Sequence, residues 1–467
     1  MMIPRVLAAR SGRCFREPVG RMARRLYGSK PDINVGSSTD TDLTRLGQHI
    51  RDIIVATGPI SVSKYMQLAL TSPIGGYYTR GQVFGSSGDF ITSPEISQMY
   101  GELLAIWFVL HWEQTGRPSR TSFVELGPGR GTLMSDMLRA SRKFPEFFAT
   151  IQTVHMVERS PELRKVQHDV LGCEWEKTER VEDAPVDTPK RSVGRGLRVE
   201  WHDSVEQVQM DSAPFVVAHE FFDALPVHKF ERGAKDAWHE ILIDVAGPKA
   251  PTVLTPKYMG SLQPAPTTAQ FKYVRTRSNS ASAAMLMRDP RVVAQFEQGD
   301  KVEVAPEGAR IMAWLAELIS EHGGLGLVID YGQDWTQGDT FRGIRKHKFA
   351  DPLSCPGSMD LTADVDFSYL RFVARDLAQC HGPIEQGTFL HALGIQARLQ
   401  QLLNSTKDRK VQQDLVDCYK RLTDPQSMGR VYKVMAVLPK SSTCMPVPFA
   451  PPTKDELNKI KVEKIVK

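Results

Sequence analysis

Phe123-Val124-Glu125-Leu126-Gly127-Pro128-Gly129-Arg130-Gly131-Thr132 is the stretch that decides the fold of this 467-residue chain. Its apolar half is a buried strand, and its glycines form a turn that opens a helix. Glycines at alternate positions permit positive φ and let the backbone approach a ligand with no Cβ in the way. Such a turn aims free N–H groups at whatever binds there. The spacing is GxGxG, whereas a dinucleotide fingerprint needs GxGxxG, and its third glycine would fall on Thr132. Glu125, just ahead of the turn, suits a cationic ligand better than a diphosphate. S-adenosylmethionine carries an ammonium and a sulfonium and no phosphate, and so meets both conditions. On this reading Glu125, Gly127, Gly129 and Gly131 are cofactor-binding residues.

Working outward, Val154-His155-Met156-Val157-Glu158 is the next expected strand. In doubly wound folds the acid closing the second strand accepts hydrogen bonds from ribose hydroxyls, usually about 20 residues past the turn. Glu158 takes that place; the competing reading is a solvated acid before the helix that Ser160-Pro161-Glu162 starts. Val199–Ser204 is the third strand and its exit, where Asp203 stands as an adenine-contacting acid or as a turn-forming Asp. Phe215–Ala218 is the fourth strand and Gly326–Gly332 the fifth, and Arg430–Leu438 alternates as a closing edge strand. Strands alternating with helices predict an α/β fold: a doubly wound, Rossmann-like sheet with ligands at the carboxyl ends of its strands.

The fourth strand runs into His219-Glu220-Phe221-Phe222-Asp223-Ala224-Leu225-Pro226. A zinc helix of the HExxH kind needs two histidines on one helical face. Here the segment follows a strand, ends at Pro226 and offers no third ligand, so no metal is expected. Glu220 and Asp223 read instead as paired carboxylates beside the cofactor. A planar guanidinium with five N–H donors is what such a pair would hold in a fixed orientation. Charge complementing a helix N-terminus is the plainer account, and it covers one of the two.

Ahead of the core, Leu43, Leu46, Ile50, Ile53 and Ile54 fall at helical spacing, and a second helix starts at Ser61. From Gly75 to Phe90 the chain is glycine-rich without the GK[ST] ending of a phosphate loop. It is expected to be a lid, which makes Asp89 a third catalytic candidate. The organisation expected is therefore a leader over 1–30, an N-terminal helical and lid region over 40–115, a core over 116–440 and a polar tail over 441–467. Cys173–Gly196 reads as a loop, and about 231–305, rich in Pro, Ser and Thr with weak periodicity, as an inserted lid or loop region.

The net charge of +5 is concentrated at the start of the chain. Residues 1–30 hold seven Arg, one Lys and a single acid, Glu17. That composition is that of a mitochondrial transit peptide, and it lacks the apolar core of a secretory signal. With no basic stripe elsewhere, nucleic-acid binding is not expected. No apolar run reaches the roughly 18–20 residues that span a bilayer. The six cysteines form no CxxC pair, which fits a reducing compartment.

Seven separated runs, FVELGPGRGTL, VVAHEFFDALPVHKF, GLVIDYG, DTFRG, DLTADVDFSYL, GDFITSPEIS and GTFLHALGI, resemble the MidA family of S-adenosylmethionine-dependent methyltransferases. Similarity extends from about Leu46 to Pro439 and is strongest to the mitochondrial, complex I-assembling branch. The resemblance implies a class I methyltransferase core, a matrix location, and symmetric dimethylation of an arginine on a core subunit of respiratory complex I. Arg430 stands where relatives tend to carry an acid, a local change of surface charge. Two other functions stay open from the sequence. One is an assembly chaperone that binds the cofactor without essential catalysis; the other is a methyltransferase acting on a small molecule.

Overall fold

The computed structural model describes residues 44–79, 93–175, 191–194, 197–234, 237–246, 270–277, 280–286 and 296–449. The leader, Asp89 with the rest of 80–92, and the tail beyond 449 lie outside the described residues.

Seven strands form the body of the main sheet: β1 (Thr121–Leu126), β2 (Ile151–Val157), β3 (Leu197–His202), β4 (Ala213–His219), β5 (Leu325–Gln333), β6 (Ala378–Glu385) and β7 (Tyr432–Pro439). Their order is β6-β7-β5-β4-β1-β2-β3. Strands β1 to β5 run parallel, and β7 lies antiparallel between β5 and β6. A hairpin of Cys173–Trp175 and Arg191–Gly194 extends the sheet beyond β3. The chain order reverses between β1 and β4, which is where doubly wound sheets open a ligand crevice.

Helices α1 (Arg45–Thr57), α2 (Val62–Thr71), α3 (Gln98–Gln114), α4 (Thr132–Ser141), α5 (Pro161–Leu171) and α6 (Pro306–His322) position the rest. Strands covered on both faces read as near-continuous apolar runs, and β1 and β4 do. Phe123, Phe215, Val217 and Leu327 pack under α3 and α4, while Val124, Val216, Ala218 and Val328 meet α6 on the opposite face. Burying each of the larger of these side chains contributes roughly 1.5–3 kcal/mol. The polar N-terminal positions follow capping chemistry: Ser61 and Ser160 accept the N–H of Lys64 and Leu163 at the starts of α2 and α5.

The segment expected as an irregular lid differs in its described residues. His228–Arg232, Trp238–Val245, Phe271–Arg275 and Lys301–Val304, with Ile60–Ser61, make a second, antiparallel sheet. Its core merges with the N-terminal helices, since Leu46, Ile50, Tyr65 and Met66 pack in one cluster with Ile243 and Phe271. The N-terminal region thus divides: α1 and α2 join this second layer, and α3 joins the main sheet. Short strands half-exposed to solvent carry too few apolar positions to show a period in sequence.

The edge strand differs as well. Arg430–Leu438 was expected to close the sheet, but β7 is flanked on both sides and β6 is the edge. With a Gly-Pro step and a bulge between His381 and Ile384, β6 lacks alternation, and proline is tolerated on edges where its missing donor faces no partner. Among the described residues no helix is long and apolar enough to cross a membrane.

Candidate active site

The turn between β1 and α4 carries Gly127, Gly129 and Gly131 at φ of 64°, 52° and 81°, a left-handed conformation that costs other residues about 1–2 kcal/mol. The N–H of Gly127 donates to the carbonyl of Val157 at 3.1 Å, joining the turn to the end of β2. A Cβ on Gly127 would stand 2.8 Å from Phe221 Cδ2. Gly131 caps α4 and backs onto Gln167, whose Cγ would lie 3.2 Å from an added Cβ. Gln167 Nε2 donates to the Gly129 carbonyl at 2.7 Å, and Gln167 Oε1 accepts from Trp201 Nε1 at 2.8 Å. One buried amide therefore ties the glycine turn to β3.

A cavity of about 1080 Å³ opens at the carboxyl ends of the strands. Typical small-molecule sites occupy roughly 300–1,000 Å³, so a cofactor and an entering side chain fit together. The cavity runs from Gly127, Gly129, Glu158 and Asp203 to Glu220 and Asp223, and α2 with Tyr77 and Tyr78 forms its far wall. Nine acidic residues line it against three arginines and no lysine. Such a wall attracts cations and repels phosphates.

Beneath the glycine turn, Glu125 is 3% exposed. Burial pushes its carboxyl up to about 8, opposed by a backbone N–H of Met134, and its Oε2 has no hydrogen-bond partner. An orphaned, buried carboxylate oxygen beside three left-handed glycines fits the ammonium of S-adenosylmethionine. Glu158 is also pushed up by burial, to about 7, despite accepting from Ser160 N–H at 2.8 Å and Gln167 Nε2 at 3.3 Å. Arg164 bridges the rim, donating to the Glu158 carbonyl through Nε at 2.7 Å and to Asp203 Oδ1 at 2.5 Å.

Across the cavity, Glu220 leaves β4 at φ 49°. A non-glycine residue in that region is an outlier that persists only where its surroundings hold it. The hold comes from β5. Asp330, completely buried, accepts the backbone N–H groups of Phe221, Phe222 and Asp223 on Oδ2 at 3.2, 3.0 and 3.3 Å. Burial pushes the Glu220 carboxyl up to about 8, with Asp223 adding repulsion. Burial raises Asp223 and Asp330 as well. Tyr331 and Thr362 hydroxyls occupy Asp223 Oδ2. Glu220 Oε1 and Asp223 Oδ1 are buried without partners, two acceptors in the wall of one cavity.

Of the residues singled out in the sequence, Glu125, Gly127, Gly129, Glu158, Asp203, Glu220 and Asp223 come together around this cavity. Gly131 stands behind the wall as the α4 cap. Asp203 is at the rim, its side chain 58% exposed. Sequence reasoning missed Gln167 and Asp330. The run Gly326–Gly332 did show an acid at a strand end, a signal for Asp330; nothing local marks Gln167.

Residues 103–384 match the family model for S-adenosyl-L-methionine-dependent methyltransferases designated Methyltransf_28. The mitochondrial protein arginine methyltransferase NDUFAF7 of Danio rerio is 41% identical over 392 residues, 84% of this chain and 86% of that one. Its Homo sapiens counterpart is 40% identical over 401 residues, 86% and 85% of the two chains. A COG1565 superfamily member from Burkholderia thailandensis, solved with S-adenosyl-homocysteine, shares the fold at a TM-score of 0.66 and 24% identity, over 86% of this chain and 93% of that one. With the resemblance of its motifs thereby borne out, the chain belongs to the Methyltransf_28 family of S-adenosyl-L-methionine-dependent methyltransferases.

Proposed function

We propose that the chain is a protein arginine methyltransferase of the mitochondrial matrix, which dimethylates symmetrically an arginine of a core complex I subunit and so supports assembly of that complex. The observation that carries the reading is the pair of orphaned acceptors, Glu220 Oε1 and Asp223 Oδ1, in the cavity that the glycine turn lines. The names of the relatives support the same substrate class. In this reading Gly127 and Gly129 admit the cofactor, Glu125 takes its ammonium, Glu158 its ribose hydroxyls and Asp203 its adenine edge. When bound, S-adenosylmethionine supplies an electrophilic methyl group.

A guanidinium is a poor nucleophile because its pKa exceeds about 12. Glu220 and Asp223 draw its positive charge to the nitrogens they hold and leave the third freer to attack. Alignment of the reacting atoms at about 3–3.5 Å supplies much of the rate. Asp89, outside the described residues, remains a candidate.

Incubation of the protein with labelled S-adenosylmethionine and mitochondrial matrix extract, beside the Gly129→Val variant, tests this reading. A labelled protein band absent from the variant lane and mapping to arginine is expected. Tight cofactor binding with no labelled protein would instead favour the chaperone or small-molecule functions.

A further inference from the structure

We infer that His219 is the group that takes up the proton released when the arginine is methylated, an inference that rests on the arginine methyltransferase reading above. His219 ends β4, lines the cavity and is 7% exposed. Its Nε2 has no hydrogen-bond partner, and it lies 3.6 Å from Glu220 Oε1, which has none either. Buried polar atoms are almost always hydrogen-bonded, whereas these two meet only each other, beyond hydrogen-bond distance, in side chains that line the cavity.

The chemistry requires an acceptor. A guanidinium nitrogen forms the new N–C bond with its electron pair, the C–S bond breaks with its pair going to sulfur, and the attacking nitrogen must shed one proton to restore conjugation. Until that bond forms the guanidinium holds its protons tightly, and afterwards the nitrogen is strongly acidic. A weak base therefore suffices, provided that it is neutral and within reach. Glu220 is the poorer acceptor, because a proton there would cancel the charge that holds the cationic product. An imidazolium at His219 would instead lie beside the Glu220 carboxylate and be stabilised by it.

The surroundings keep the ring available. Tyr100 from α3 meets it edge-on with ring centroids 5.2 Å apart, and Tyr432 from β7 stacks on it at 6.5 Å. Burial pushes both hydroxyls well above their usual range, so they stay neutral. Burial likewise lowers His219 to about 3, so the ring is neutral at physiological pH and able to take up a proton. The charged groups nearby act through Glu220, and they are Asp223, Asp330 and Glu95.

The test uses the full chain with labelled S-adenosylmethionine and mitochondrial extract, and compares wild type with His219→Gln and His219→Ala. Initial rates should fall by about 10²–10⁴-fold in both variants, while calorimetry shows unchanged cofactor affinity. Added imidazole should restore the His219→Ala rate, and substituted imidazoles should do so in the order of their basicity. His219→Gln, which preserves ring-sized polarity, covers the case in which His219→Ala does not fold. Turnover within about threefold of wild type, or a loss of rate that no imidazole restores, would overturn the inference. If wild type itself labels no arginine, the parent reading has failed and the role of His219 falls with it.

Discussion

Asp330 accepts the backbone N–H of Phe222 at 3.0 Å across 108 residues of sequence, and this contact sets the exit of β4. The same oxygen takes the N–H groups on either side, so one carboxylate fixes the turn that aims Glu220 and Asp223. Asp330→Ala would leave three buried donors unmatched, at roughly 1–3 kcal/mol each when fully buried. We expect a loss of about 3–5 kcal/mol in urea unfolding. Asp330→Asn retains one acceptor oxygen and should cost less than half as much. Equal stability of wild type and Asp330→Ala would remove Asp330 from this role.

Stability should also depend on pH through the same cluster. Glu220 rises from an ordinary value of 4.5 to about 8 on folding, and Glu125 does likewise. A carboxyl raised in the folded state contributes stability below its unfolded pKa and loses it as pH climbs through the folded one. The unliganded protein should therefore weaken between about pH 4.5 and 8, by on the order of 2–4 kcal/mol per such group. Glu220→Gln should be less pH-sensitive and more stable than wild type at pH 8, while binding cofactor and failing to transfer methyl. Parallel melting curves against pH for the two proteins would rule this out.

Much of that site was legible in the sequence because its chemistry is local. Glycine-rich turns and acids at strand ends are written in consecutive residues, as at Gly127–Gly131 and His219–Asp223. Strands buried on both faces also declare themselves, as Phe215–Ala218 did. What escaped depends on contacts between distant segments. Gln167 is an ordinary helical residue until α5 folds it against Gly129 and Trp201. The antiparallel layer escaped because Ile60 and Ile243, far apart in sequence, pair across strands and pack in one cluster with α1 and α2.

Cation binding should expel protons. Glu125, raised to about 8, is protonated at neutral pH and Glu158, raised to about 7, is about half protonated, and a carboxylate facing an ammonium must be ionised. The affinity for S-adenosylmethionine should rise about tenfold per unit between pH 6 and 7.5 if one proton leaves. Calorimetry in phosphate and in Tris at pH 7 measures this directly, since a released proton adds the buffer's own enthalpy. Identical heats in the two buffers would show that no proton moves.

Two substitutions separate the turn's shape from its support. Gly129→Val places a branched side chain at φ 52° on the cavity wall, where the strain of about 1–2 kcal/mol adds to the volume it fills. Cofactor binding should be lost beyond the range of calorimetry. Gln167→Leu keeps the volume of the side chain but leaves the Gly129 carbonyl and Trp201 Nε1 without their partner. Two such losses at about 1–2 kcal/mol each should weaken the cofactor roughly tenfold and lower thermal stability together. If Gln167→Leu lowers stability and leaves affinity untouched, Gln167 braces α5 against β3 and does not shape the turn. If Gly129→Val binds as wild type does, the ligand does not approach the backbone at that glycine, and the placement of the cofactor along Gly127–Gly129 is wrong.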